Sequence, residues 1–195
     1  MNWTTIKEKI ATKVVGIAGC GGLGSNAAMS LARVGIRNFV LADFDVVEES
    51  NLNRQYYFRH QIGSKKVFEL AKNIHAVDSS IHVTCHDILL THENLPGVFS
   101  SCDLIIEAFD KAEAKQMLVE TVLAIWPDKP LILGVGMAGT GSFHLIRQEQ
   151  WDSNVYVCGD SETEISDDNP PLAPRVCIVA NMQANLALEL LLGGK

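Results

Sequence analysis

Val14-Val-Gly-Ile-Ala-Gly-Cys-Gly-Gly-Leu-Gly24 carries a short β-branched apolar run straight into Gly-x-Gly-x-x-Gly, with an apolar, helix-like stretch at 26–34 beyond it. In that setting each glycine has a physical task. Gly19 permits a tight turn and Gly21 lets a phosphate approach the backbone. Gly24 lets helix and sheet pack closely, while the amides at the helix start face the anion. The pattern alone is weak; set between a strand and a helix it points to a nucleotide loop.

Outward from the loop, Gly35 and Asn38 punctuate the chain, and Phe39-Val-Leu-Ala42 predicts a second buried strand that completes a βαβ unit. The stretch 48–62 is polar and irregular. Patterning then predicts a helix at 64–76, strands at 81–85 and 103–108, a helix at 111–125 and, after Pro127 and Pro130, a strand at 131–135. Residues 142–146 alternate less cleanly and read as an edge strand. The segment 151–174, with Asp160, Glu162, Glu164, Asp167 and Asp168, reads as a long acidic surface loop. A last helix at 175–192 is stopped by Gly193-Gly194. Strands alternating with helices predict a doubly wound, mostly parallel α/β sheet with a Rossmann-like half, one domain across 1–195.

Composition narrows the function. A chain of 195 residues, 47% hydrophobic and 20% charged, has material for one buried core and little for a second. No apolar run nears the ~20 residues that cross a bilayer, and the polar, charged start does not resemble a secretory signal. Five scattered cysteines without a C-x-x-C pair argue against a disulfide framework or a tetrathiolate zinc site and predict a reducing, cytoplasmic setting. A net charge of −7 disfavours a nucleic-acid surface, so a protein or small-molecule partner is expected.

Asp43 follows the loop at roughly the ~20-residue distance where a carboxylate reaches a ribose hydroxyl, which suits NAD as well as ATP. The next stretch separates the two. Asp43-Phe-Asp45 leads into Ser50-Asn-Leu-Asn-Arg-Gln55 and then Gly63-Ser-Lys-Lys66, and the strand at 103–108 delivers Asp110 at its C-terminal end. A triphosphate needs such cations when phosphorus is attacked, and a carboxylate at that edge suits Mg²⁺ on the phosphates.

In these motifs the chain resembles the ThiF/MoeB superfamily, adenylating enzymes related to ubiquitin-activating enzymes, over Val14 to about Leu191. It is most similar to short ThiF-type members linked to thiamine biosynthesis. The resemblance implies that Gly22, with Gly19, Gly21 and Gly24, meets the phosphates and Asp43 the ribose. Asn51 and Arg54 would contact phosphates, Lys66 would sit near the α-phosphate, and Asp110 would bind Mg²⁺. The implied partner is a small ubiquitin-like sulfur-carrier protein ending in Gly-Gly, and the implied assembly a homodimer. The carrier's terminal carboxylate would attack the α-phosphorus of ATP, giving an acyl-adenylate and pyrophosphate. That carboxylate is already ionised, so alignment and charge stabilisation suffice.

Three departures qualify the likeness. Larger members hold zinc through two C-x-x-C pairs, so no zinc is expected here. The N-terminal arginine of many members is missing, Lys7, Lys9 and Lys13 being the only cations before Val14. Lys111 replaces the asparagine after the magnesium aspartate and is expected to face solvent. Among other residues, Cys158 reads as a residue of the acidic loop rather than a nucleophile, Cys20 as packed inward and Arg175 as structurally paired. A nicotinamide oxidoreductase and a silent nucleotide-binding scaffold are the competing functions; Arg54, Lys66 and Asp110 oppose the first, and only the missing arginine and zinc cysteines favour the second.

Overall fold

A computed structural model describes residues 1–193. In chain order its elements are α1 (Trp3–Ile10), β1 (Val14–Ala18), α2 (Gly22–Arg33), β2 (Asn38–Asp43), α3 (Lys66–Val77), β3 (His82–Asp87), α4 (Leu95–Phe99), β4 (Leu104–Glu107), α5 (Ala112–Ile125), β5 (Leu131–Gly134), β6 (Arg147–Asp152), β7 (Val155–Gly159) and α6 (Ala173–Leu191). The strands form one sheet in the order β3-β2-β1-β4-β5-β7-β6, parallel except for β6. This is the expected doubly wound α/β architecture. The chain turns from one side of β1 to the other, so β1 and β4 diverge at a switch point, where open sheets leave a crevice at their carboxyl ends.

The layers follow from strand alternation. Ile17, Leu41, Leu104, Ile106 and Ile132 face α2, α3 and α6, where Leu23, Leu31, Leu70, Ile74 and Val179 meet them. Ala18, Val40, Ile105, Leu131 and Leu133 face α4 and α5 through Phe99, Leu118 and Val122. Each fully buried large side chain contributes about 1.5–3 kcal/mol of transfer free energy. Both faces of the central strands are covered, which explains their unbroken apolar runs.

Several elements differ from the sequence-based expectation. Helix α1 was not anticipated: Asn2 caps it, its Oδ1 accepting the Thr5 N–H at 2.9 Å, and Ile10 is fully buried. Residues Phe143–Leu145 form a 3-10 turn, and the edge strand is β6 instead. Strand β6 is exposed on both faces, so its sequence alternates little. The expected loop at 151–174 loses 155–159 to β7, which lies inside the sheet between β5 and β6. Its Val155, Val157 and Cys158 are buried, a short apolar signal hidden by the acidic residues after it. Helix α6 ends at Leu191 with Leu192 as its C-cap, and Gly193 just beyond has φ +82°, as the glycine stop predicts; Gly194 lies outside the described residues. Among the described residues, no helix is long and apolar enough to cross a membrane.

Candidate functional site

The glycine loop occupies the switch-point crevice. Gly19 has φ +97°, and a Cβ there would stand 2.8 Å from the Ala108 carbonyl oxygen, so the loop lies directly against the chain leaving β4. A Cβ on Gly24 would run into the Gly19 carbonyl, which sets how closely α2 can return over β1. Gly21 is the N-cap of α2 and makes no side-chain cap hydrogen bond. The first-turn amides, with the positive end of the helix dipole, are therefore available to an outside acceptor. A Cβ on Gly21 would meet nothing closer than Gln55 Nε2 at 3.7 Å, an ordinary van der Waals contact, so this position is not crowded by the protein.

At the end of β2, Asp43 is tied to this loop. Its Oδ2 accepts the Cys20 N–H at 2.6 Å and its Oδ1 accepts the Asp45 N–H at 2.8 Å. Burial pushes the Asp43 carboxyl up, while the two N–H donors and the Lys66 charge pull against that rise. Lys66, in the first turn of α3, donates to Asp45 Oδ2 at 2.8 Å with its side chain only 7% exposed. The structure thus gathers Asp43, Asp45 and Lys66 at one end of the loop.

The segment 54–57 is strapped over the other side. Asn26 Nδ2 donates to the Gly22 carbonyl at 2.7 Å and the Arg54 carbonyl at 2.9 Å. Ser25 Oγ donates to the Gly21 carbonyl at 2.6 Å and accepts the Tyr56 N–H at 2.9 Å. Tyr57 Oη donates to the Cys20 carbonyl at 2.7 Å. These clamps place the Arg54 Cγ 3.7 Å from where a Gly22 Cβ would stand, so the arginine stem lies over the start of α2. The guanidinium donates to the Ser50 carbonyl at 3.0 Å and Asn53 Oδ1 at 2.8 Å. Asn51 is used differently: it is buried, and its Oδ1 accepts the Glu48 N–H at 3.0 Å, making it a former of the turn that presents Arg54. Ser25, Asn26 and Tyr57 were missed from sequence; the signal was two polar residues on the buried side of an alanine-rich helix.

Asp110 is exposed, two residues beyond the Ala108 carbonyl that abuts Gly19, so it shares the crevice mouth. Lys111 is the exposed N-cap of α5 and faces solvent as expected. Among the described residues, no group of three His, Cys, Asp or Glu could hold a metal ion by itself. Mg²⁺ does not need one, because it is commonly held by one or two carboxylates plus substrate phosphates. An exposed Asp110 close to the uncapped start of α2 fits that donor set.

Cys158 lies in β7 rather than in a loop, fully buried, and burial pushes its thiol up to about 12. A protonated, enclosed thiol is a poor nucleophile. Cys20 is likewise packed inward, with burial raising its thiol first and the Asp43 charge adding to it. Arg175, at the start of α6, forms a buried ion pair with Asp160 and also donates to the Gly141 carbonyl. Asp160 Oδ1 accepts the N–H groups of Glu162 at 3.0 Å and Thr163 at 2.9 Å. Thr163 Oγ1 in turn accepts the Ala138 N–H at 3.2 Å. The loops at 135–146 and 160–172 are therefore one locked unit beside the crevice.

Fold and loop define a class: doubly wound α/β proteins with a glycine turn and an uncapped helix start at the switch point. The ThiF family model matches residues 4–195, and the chain belongs to that family. It is 29% identical over 192 residues to the sulfur carrier protein ThiS adenylyltransferase of Escherichia coli, covering 96% of this chain and 75% of that protein. It is 27% identical over 187 residues to the adenylyltransferase and sulfurtransferase MOCS3 of Dictyostelium discoideum, covering 92% of this chain. The chain spans only 43% of that relative's length. A crystal structure of E. coli tRNA N6-threonylcarbamoyladenosine dehydratase, TcdA, in complex with ATP superposes with a TM-score of 0.87 at 21% identity, covering 97% of this chain and 89% of that one. One of E. coli MccB with ATP gives 0.73 at 21% identity, covering 97% and 59%. At these identities the superpositions show the shared fold.

Proposed function

We propose that the protein is an ATP-dependent adenylyltransferase that activates the C-terminal glycine carboxylate of a small ubiquitin-like sulfur-carrier protein. The observation that carries this reading is the side-chain-free, uncapped start of α2, flanked by Arg54 on one side and Lys66 on the other, with Asp110 at the mouth of the same crevice. The names of the E. coli and Dictyostelium relatives support adenylation of a carrier protein, and the TcdA and MccB complexes with ATP support the nucleotide. The net charge of −7 favours a protein over an RNA substrate.

In the proposed reaction the glycine loop amides hold the phosphates and Asp43 meets the ribose. One carboxylate oxygen of the carrier attacks the α-phosphorus, the bond to the β-phosphate oxygen breaks, and pyrophosphate leaves with the electron pair. Arg54, a planar fork, and Lys66, a point charge, neutralise the charge that builds on the phosphate oxygens. Lys66 is paired with Asp45, so reaching a phosphate exchanges one anionic partner for another rather than exposing a bare cation. Mg²⁺ held by Asp110 would add further neutralisation of the leaving pyrophosphate. A homodimer is part of the same proposal.

Pyrophosphate exchange into ATP, measured with candidate carriers ending in Gly-Gly, tests it. Carrier-dependent exchange supports the enzyme. ATP binding without exchange for any carrier would make the protein a nucleotide-binding scaffold, and preferential NAD binding would make it an oxidoreductase.

A further inference from the structure

Beneath the crevice lies a buried ion pair with no part in the chemistry so far. Glu107, the last residue of β4, is fully buried and forms an ion pair with Lys115 from the second turn of α5. The carboxylate reaches three elements at once. Its Oε1 accepts the Phe109 N–H at 2.7 Å, its Oε2 accepts the Gly134 N–H at 3.4 Å, and Lys115 also donates to the Gly134 carbonyl at 2.9 Å. Gln183 of α6 donates to the Glu107 carbonyl at 2.9 Å. Backbone continuity does the rest: Ala108 donates to the Ala18 carbonyl at 2.8 Å, immediately before the glycine loop, and Phe109 is joined by one peptide bond to Asp110.

A buried ion pair is a costly way to join two strand ends, since apolar residues of similar volume usually serve stability as well or better. What the pair supplies that apolar packing does not is direction. A carboxylate bound to the Phe109 N–H fixes the orientation of the turn 107–110, and a lysine bound to both Glu107 and Gly134 fixes that turn relative to the loop leaving β5.

We infer that Glu107 and Lys115 are positioning residues that set the direction of the Asp110 carboxylate toward a nucleotide-bound divalent cation. This rests on the proposed role of Asp110 and extends it to residues that touch neither nucleotide nor metal. Outer groups that orient a metal ligand characteristically weaken metal affinity by about 10–100-fold when removed.

The test uses Mn²⁺ as the probe, titrated by electron paramagnetic resonance into the full chain saturated with ATP, alongside ATP binding measured in chelator. Glu107→Gln keeps the side-chain shape and an acceptor for Phe109 while removing the charge. Lys115→Met keeps the aliphatic stem and leaves both hydrogen bonds of Glu107 to the backbone. Both are expected to weaken Mn²⁺ binding to the ATP complex by about 10–100-fold, with ATP binding in chelator unchanged. Val122→Ala, a fully buried α5 position away from the pair, serves as the stability control. It is expected to lower the melting temperature and leave Mn²⁺ affinity alone. The inference is overturned if the folded Glu107→Gln and Lys115→Met proteins bind Mn²⁺ as wild type does, or if Val122→Ala weakens the metal equally. Asp110→Ala separates the levels: if it leaves Mn²⁺ affinity unchanged, the metal role of Asp110 fails and the inference with it. If Asp110→Ala is impaired and the two variants are not, only the positioning role fails.

Discussion

Arg175→Met removes one partner of the most enclosed ion pair in the described structure and keeps most of the side-chain volume. The Arg175 and Asp160 side chains are 5% and 1% exposed, so solvent screening does little to soften the loss. Removing one member of a buried pair costs about 3–5 kcal/mol, because the other charge is left unpaired. Here Asp160 retains the N–H groups of Glu162 and Thr163 and the Thr163 hydroxyl, which places the cost of Arg175→Met near the lower end, about 3 kcal/mol. For a chain of this size each kcal/mol lowers Tm by about 2–4 °C, so the expected drop is roughly 6–12 °C. Asp160→Asn is the costlier single change, since Arg175 Nε already has no partner and the guanidinium would keep only the Gly141 carbonyl. The double variant should cost no more than the worse single. Urea unfolding of the four proteins, analysed for midpoint and slope, gives the coupling energy. Burial alone would raise the Asp160 carboxyl, but its donors and Arg175 outweigh burial and hold it below the ordinary carboxylate range. Its stabilisation is therefore present above the ordinary carboxylate pKa and lost as pH falls through the folded value. The acid limb of stability should be steeper in wild type than in Arg175→Met. A single-variant cost under about 1 kcal/mol, the scale of an exposed pair, together with strict additivity in the double, would refute the reasoning.

Other outcomes follow from the site. Arg54→Ala and Lys66→Ala should each slow pyrophosphate exchange by about 10²–10³-fold, the scale of losing one preorganised charge-stabilising donor. Asp110→Ala should abolish exchange at ordinary Mg²⁺ while the circular dichroism spectrum stays native; near-wild-type exchange in all three variants would remove the site assignment. Cys158→Ala should leave exchange intact, and iodoacetamide at neutral pH should spare this thiol in the native protein. Because burial raises Cys158 from 9.0 to about 12, its contribution to stability is present below the lower value and lost as pH rises toward the upper. Cys158→Ala should accordingly flatten the alkaline stability slope by up to about 1.4 kcal/mol per pH unit. Gly24→Ala should cost at least about 1–3 kcal/mol, since the obstructing atom is the Gly19 backbone and cannot rotate aside; unchanged urea stability would show that α2 can shift.

The central βαβ unit, helices α3, α5 and α6 and the glycine loop were legible along the chain, whereas the five-residue α4 was not. Their signals are local: unbroken apolar runs for strands buried on both faces, and glycines where a turn and a close helix approach leave no room for Cβ. Arg54, Lys66 and Asp110 also stand at the carboxyl side of the strands that precede them, and their roles belong to the proposal above. Less was legible where a segment is short or its environment is supplied from afar. Strand β7 is five residues long and is a strand because β5 and β6 pair with it, so its acidic successors dominated the local pattern. Helix α1 is polar on average, and its docking depends on Ile10 finding a fully buried place in the main core.

Residue types and spacing along the chain therefore specified a parallel doubly wound sheet, a nucleotide-type loop and the cations that approach it. Only the folded chain assigned partners. It gave Asn51 Oδ1 to the Glu48 N–H as the brace of a turn, buried Cys158 in the sheet, paired Arg175 with Asp160 fifteen residues earlier, and set Glu107 and Lys115 beneath the crevice. The physical reason is that propensity and periodicity act over a few neighbouring residues. Burial, ion pairing and the hydrogen-bond partner of a polar side chain depend on segments that meet only when β1, β4 and β5 lie side by side.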